Sequence, residues 1–349
     1  MSRPLLLAAF MSTTFAGSAH ADILVGSYGT GTSHELLRAF TDDADGDVAP
    51  IRNLGGSNST LLAPVGGSFG AGELYVADFW GQAIRVFPAY ADGDVAPLRV
   101  IDAPILGQVR TLALDPLHGE IVTTTSGCCI AGFAIDASGS APWLHMLNWG
   151  GGAGSVTQLN YPPSLAYLAA SDEVAVADSD FGPSYAPKVL VFNRTDAGNT
   201  APTRVIKGGQ TGLGSSVAGV AWDAGAHVLY VAANTSNPDS TTSARILAFD
   251  DHADGDVAPL RTIAGPATQL ELDAGAYLRG LAIDPIGRRV IASVSADSDP
   301  LANKLLVFDL DDAGDVAPMQ AISGAQTGML SIGAPIWVPS DAIMHDGFD

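Results

Sequence analysis

The sequence predicts an all-β fold, a closed ring of six four-stranded sheets. Three observations carry that expectation: one motif recurs six times, β-type segments lie between its copies, and the two chain ends each hold part of a single sheet. The composition agrees. Hydrophobic residues make up 47% of the 349 residues and charged residues 15%, enough to bury a large core, and 40 Gly with 21 Pro suit a chain that turns often.

The motif reads ADGDVAPIRNL (44–54), ADGDVAPLRVI (91–101), ASGSAPWLHML (137–147), AGNTAPTRVI (197–206), ADGDVAPLRTI (253–263) and AGDVAPMQAI (313–322). Its anchoring prolines, Pro50, Pro97, Pro142, Pro202, Pro259 and Pro318, stand 45 to 60 residues apart. Around them the elements follow in order. The first unit offers a second strand at 23–28 and a third at 35–40, with no innermost strand before them. The fifth unit shows all four, at 217–222, 228–233, 244–249 and 260–263, separated by Asp-Gly and Ala-Gly turn chemistry. After the sixth anchor comes a lone apolar strand, 334–338, which supplies what the first unit lacks. Pairing the two ends removes the free edges of an open sheet. Four strands per unit at this spacing describe the blades of a β-propeller, whereas parallel β-helices repeat faster and helical repeats would show a 3.6-residue period.

Outside the ring, residues 1–21 read as a secretory signal peptide. Arg3 is followed by an apolar run over 4–15 and by Ala19-His20-Ala21, with no acidic residue before Asp22. The propeller then spans 22–340 and a tail follows at 341–349. The expected location is periplasmic or extracellular. Lys and Arg number 16 against 37 Asp and Glu, a net charge of −21, which argues against nucleic-acid binding and anionic lipid surfaces. No stretch of the mature chain is long enough for membrane insertion.

The units, as in GVAWD…LYVAAN…ARILAFDDHADGDVAPLRTIAG, resemble the NHL-type repeats of six-bladed propellers, in particular a bacterial exported group with A-x-G-[ND]-x-A-P-x-R-x-I repeats. That resemblance implies a fold rather than an activity. Such propellers serve as ligand-binding scaffolds, as interaction platforms and, in related families, as lactonases, so function rests on sites.

Four candidate sites emerge. Arg110 and Arg279 occupy one blade position, at the entry to the innermost strands of blades 3 and 6, with Pro64, Pro163, Ala218 and Pro335 in the other blades. Blades 3 and 6 are opposite in a ring of six, so the two guanidinium groups are expected to face each other across the channel mouth as an anion-binding pair suited to a carboxylate. The second-strand ends carry Asp78, Asp178 and Asn234, with Asp180 and Asp297 in loops beyond. The lactonase resemblance implies an Asp/Asn/Glu metal set at the mouth, although no Glu stands at an inner-strand entry. The anchor loops carry Asp43, Asp45 and Asp47, Asp92 and Asp94, Asp254 and Asp256, and Asp311, Asp312 and Asp315. These read either as calcium-binding loops or as repeated turns in which Asp accepts backbone N–H and Gly takes positive φ. On the turn reading, Arg52, Arg99, Arg204 and Arg261 are expected to pair with those carboxylates. Cys128 and Cys129, the only cysteines, form a vicinal disulfide or remain thiols. The histidines show no ligand spacing.

Binding of a small anionic ligand or a protein segment at the channel mouth is the role these features favour, with no catalytic residue assigned. The rivals are a metal-dependent, lactonase-like hydrolase and a structural envelope protein with calcium loops, Ca²⁺ being the one cofactor in view.

Overall fold

The computed structural model describes residues 21–29, 35–125, 129–148, 155–179, 186–296 and 299–340. The expected leader, the 341–349 tail, Cys128, Asp180 and Asp297 lie outside these residues, apart from Ala21 at the leader's end. The described chain forms six antiparallel sheets, each ordered from an inner to an outer strand. Blade 2 runs Pro64–Gly70, Glu73–Asp78, Ala83–Pro88, Arg99–Ile101; blade 3, Leu112–Asp115, Glu120–Thr124, Ile130–Ala134, His145–Leu147. Blade 4 is Ser164–Leu168, Glu173–Asp178, Lys188–Asn193, Arg204–Ile206; blade 5, Ser216–Asp223, Val228–Ser236, Thr242–Asp250, Arg261–Ile263; blade 6, Ala276–Asp284, Arg289–Ala296, Lys304–Asp309, Gln320–Ser323. Blade 1 is the composite: Ile336–Val338 is its inner strand, followed by Asp22–Val25, Leu37–Thr41 and Arg52–Leu54. The register Asp22↔Val338, Ile23↔Trp337, Leu24↔Ile336 closes the ring as the repeat predicts.

Burial follows the strand period. Every third strand carries one phenylalanine, Phe40, Phe87, Phe133, Phe192, Phe249 or Phe308, and each is 0–1% exposed. Second-strand residues such as Tyr75, Val176, Val231 and Ile291 complete the apolar layers between neighbouring blades. Near the channel the blades draw close through small residues: a Cβ on Gly219 would stand 2.9 Å from Gly280 Cα, and one on Gly66 2.9 Å from the Arg110 carbonyl. The inner strands of blades 2, 5 and 6 bulge just before these glycines, at Val65, Ala218 and Arg279. This register puts Val65 at the blade position of Arg110 and Arg279, not Pro64, and in blade 1 it puts Gly333 there, not Pro335. A bulge adds a residue that motif alignment does not see.

The repeated motif is an inter-blade clasp. Its glycine (Gly46, Gly93, Gly139, Gly198, Gly255, Gly314) forms a parallel bridge to the outer strand of the preceding blade, at Ile322, Leu54, Ile101, Leu147, Ile206 and Ile263 respectively. The first Asp accepts an N–H of that same outer strand: Asp45 from Ala321 (2.8 Å), Asp92 from Asn53 (2.9 Å), Asp254 from Val205 (2.9 Å). The second Asp caps the turn that follows it: Asp47 accepts from Gln326 (2.7 Å), Asp94 from Asn58 (2.7 Å), Asp256 from Gln210 (2.7 Å). Burial opposes ionisation of Asp94, and the N–H groups of Ser59 and Asn58 outweigh it, holding its carboxyl below the ordinary value. A second repeat, G-x-x-[ST]-x-[LM], answers the first. Ser59, Thr211, Thr268 and Thr327 each donate to the glycine carbonyl three residues earlier and accept from the N–H two residues later.

These are the bonds of the turn reading, but Arg52, Arg99 and Arg204 do not join them. Arg99 forms a two-pronged pair with Glu73 (2.7 and 2.7 Å), Arg204 with Glu173 (2.7 and 2.8 Å), and Arg52 pairs with Asp22, all on the second strand of the same blade. Arg261 bonds Tyr230 Oη and the Leu310 carbonyl, 2.9 Å each, and also reaches a loop carboxylate as expected, Asp311 at 3.9 Å. The loop carboxylates point instead at the preceding blade, which the order of residues along the chain does not reveal. In blade 3 His145 takes the arginine's place, on Glu120.

The clasp predicts a measurable coupling. A methyl group on Gly208, whose φ is +141°, would run into the Asp256 carboxylate. Gly208→Ala is expected to cost more than ~1 kcal/mol in urea unfolding and Asp256→Ala about 1 kcal/mol. The double variant should cost less than the sum, since the second change removes the clash.

Candidate functional site: the channel mouth

Loops entering the inner strands and loops leaving the second strands lie at the same end of the blades, and the residues they present come from five blades. Tyr28 follows the second strand of blade 1, and Phe79 and Trp80 follow that of blade 2. Arg110 and Tyr161 precede the inner strands of blades 3 and 4, and Tyr277 and Arg279 lie on the inner strand of blade 6. The Arg110 Cζ stands 4.8 Å from the Phe79 ring centre and 4.3 Å from that of Tyr161, so its guanidinium has both rings as neighbours. Phe79 meets Tyr28 edge-on at 5.6 Å and Trp80 at 4.9 Å, and Trp80 is 42% exposed. Arg279 lies 5.3 Å from the Tyr277 ring centre. Burial raises the Tyr161 hydroxyl above the ordinary phenol range, Arg110 and Arg279 pull it back, and Tyr28 adds to the rise. One phenol thus feels both arginines. Among the described residues no carboxylate lies within ion-pair distance of Arg110, which contrasts with Arg85, Arg99, Arg194, Arg204 and Arg289.

The residues expected as metal ligands hold this mouth in place. Asp78, fully buried, accepts from the N–H groups of Leu62 (3.2 Å), Ala63 (2.6 Å) and Gly81 (3.3 Å) and pairs with Arg85. Burial lowers the Arg85 guanidinium against the opposing pull of Asp78. Phe79 N–H in turn donates to the Ala63 carbonyl at 2.9 Å. Asp178, also fully buried, accepts from Asn160 (2.7 Å) and Tyr161 (3.3 Å), with Lys188 Nζ at 3.7 Å. Asn234 brackets Leu278, accepting its N–H at 3.0 Å and donating to its carbonyl at 3.1 Å, which fixes the residue beside Arg279. The trio belongs to three blades, and each member clamps an inner-strand entry. This is the work of a positioning residue rather than of one converging ligand set.

Two carboxylate–imidazole groups are not among the residues expected from the sequence, Asp115 with His118 and Asp172, and the consecutive Asp250, Asp251 and His252. They lie at the other end of the blades. The first contains Arg194, whose Nε is 3.1 Å from Asp115 and 2.7 Å from Asp172. Cys129 is disulfide-bonded, and Cys128 is outside the described residues.

No family model and no curated protein matches the chain. Among solved structures it is similar to one titled "Crystal structure of Nidogen/Laminin Complex", at a TM-score of 0.55 and 14% identity, over 91% of this chain and 98% of that one. That likeness shows the propeller fold. Among the described residues no helix is long and apolar enough to cross a membrane.

Proposed function

We propose that the chain is an exported, NHL-type propeller that binds a carboxylate-bearing ligand, a small anion or an acidic protein segment, at the channel mouth. One observation carries the reading: Arg110 is set between two aromatic rings with no carboxylate partner among the described residues. A guanidinium so placed has donors beyond its bond to Tyr161 to offer a carboxylate arriving from solvent, while Trp80 and Tyr161 offer apolar surface to the ligand's body. A propeller neighbour whose title names a protein complex supports a protein segment among the ligands. The hydrolase reading finds less support, since Asp78, Asp178 and Asn234 are engaged by backbone N–H and carbonyl groups.

The test is calorimetric titration of the mature chain with acidic peptides ending in a free carboxylate or in an amide, and with citrate. A carboxylate-dependent isotherm is expected, and Arg110→Gln should weaken it about 10- to 100-fold, the span of one charge-assisted pair. Equal binding by wild type and Arg110→Gln would sink the proposal.

A further inference from the structure

We propose that blade 5 carries a second site, for a borderline divalent cation such as Zn²⁺, built from Asp250, Asp251, His252 and His227 at the end of the blade away from the mouth. It is independent of the carboxylate-binding reading. Two segments meet there: the turn between the inner and second strands brings His227, and the loop after the third strand brings Asp250, Asp251 and His252. The Asp251 N–H donates to the His227 carbonyl at 3.1 Å, which ties the two together.

Asp251 is 5% exposed, and its carboxylate has an imidazole on each oxygen: His252 Nδ1 at 2.6 Å from Oδ1 and His227 Nδ1 at 3.1 Å from Oδ2. Asp250 Oδ1 stands 3.8 Å from His252 Nδ1, and one ligand atom from each of Asp250, Asp251 and His252 falls within 4.8 Å of the others. Tetrahedral ligands at about 2.0–2.2 Å from zinc stand roughly 3.4 Å apart. The set therefore closes around an ion by rotation of His252, Asp250 and His227, whose side chains are 69%, 63% and 57% exposed, with His227 moving furthest because it stands outside the cluster of the other three. The Trp222 Nε1–H donates to Asp251 Oδ2 at 3.0 Å and orients the carboxylate from outside the set.

The charge balance points the same way. Among the described residues only histidines lie within ion-pair distance of Asp250 and Asp251. A buried carboxylate without a fixed cation is costly, and an ion would complete it. The group in blades 3 and 4 differs here, because Arg194 already supplies its positive charge. Two imidazoles with carboxylates suit zinc, copper or nickel, whereas calcium prefers oxygen alone. Binding displaces the imidazole Nδ1 protons, so affinity should fall at acid pH.

The test uses the untagged mature chain, stripped with EDTA and dialysed, titrated with Zn²⁺ by calorimetry and followed by thermal unfolding. One saturable equivalent is expected, with a rise in Tm that Ca²⁺ at the same concentration does not reproduce. His227→Gln and His252→Gln, both at exposed side chains, should each weaken binding at least tenfold while leaving the circular dichroism of the stripped protein unchanged. Arg110→Gln should bind Zn²⁺ as wild type does, whatever the fate of the mouth proposal. No saturable Zn²⁺ binding by wild type, or a His227→Gln/His252→Gln variant that binds as tightly as wild type, would overturn the site.

Discussion

Replacing Arg194 by methionine is expected to lower the stability of the protein at pH 7 by about 3–5 kcal/mol, the usual cost of removing one partner from a buried ion pair. Arg194 follows the third strand of blade 4 and reaches across to Asp115 and Glu120 of blade 3, which are 0% and 1% exposed. Methionine keeps much of the stem's packing and removes the charge. His145 still faces Glu120 and His118 still faces Asp115, so each buried carboxylate keeps an imidazole but loses its permanent cation. The side-chain bond to Asp172 comes first among the influences that hold Arg194 above its ordinary range, with burial opposing it and Glu120 adding to the rise. Conversely Arg194 holds the Asp172 carboxyl below its usual range. A carboxyl depressed in the folded state contributes stability above its unfolded pKa of about 4 and loses it as pH falls through the lower folded value. Asp172 is half exposed, so its share is small, yet the sign is fixed. The gap between wild type and variant should narrow in acid. Urea unfolding at pH 7 and pH 3.5 measures it, and a deficit below 1 kcal/mol at pH 7 would contradict the account.

The larger effect is expected from removing the closing strand. Deleting 334–349 takes the inner strand from blade 1, including Ile336 (3% exposed) and Val338 (0%). Burying two such side chains stabilises by roughly 3–6 kcal/mol, a large part of a typical total of about 5–15 kcal/mol. The deletion also bares the edge of Asp22–Val25, whose unpaired backbone groups would seek another chain. Loss of a cooperative thermal transition and a shift to dimers or larger species in light scattering are the expected outcomes. A circular permutant that joins residue 340 to residue 21 and opens the loop at 273–275 should unfold as wild type does, because the strand pairing survives. A monomeric, cooperative deletion variant would show that the clasp of Gly46 on Ile322 closes the ring alone.

Much of the ring is legible in the order of residues along the chain. Blade number, four strands per blade and closure by Ile336–Val338 all follow from a motif that recurs with its neighbours, since a propeller repeats local contacts. The shared blade position of Arg110 and Arg279 comes from the same alignment. Its limits show at the bulges: Val65 and Gly333, not Pro64 and Pro335, occupy that position, because an extra residue shifts the count. The arginines show a second limit. Arg99 is expected on a loop carboxylate a few residues away, yet it reaches across the third strand to Glu73, since register in a sheet brings together residues far apart in the chain.

The mouth is the least legible part. Tyr28, Phe79 and Tyr161 carry no shared motif, and their meeting with Arg110 depends on four blades arriving at one place. Asp78, Asp178 and Asn234 look like ligands because Asp and Asn are what metals use; their buried N–H donors make them clamps on the loops that aim Phe79, Tyr161 and Arg279. His227 and His252, with no spacing between them to read, meet only because two loops of blade 5 flank one buried carboxylate. By itself the sequence determined the ring, its order and its acidic character, because those rest on patterns repeated between neighbours. The tertiary structure alone decided which side chains share a site, because each site is assembled from single residues whose separation in the chain bears no relation to their distance in space.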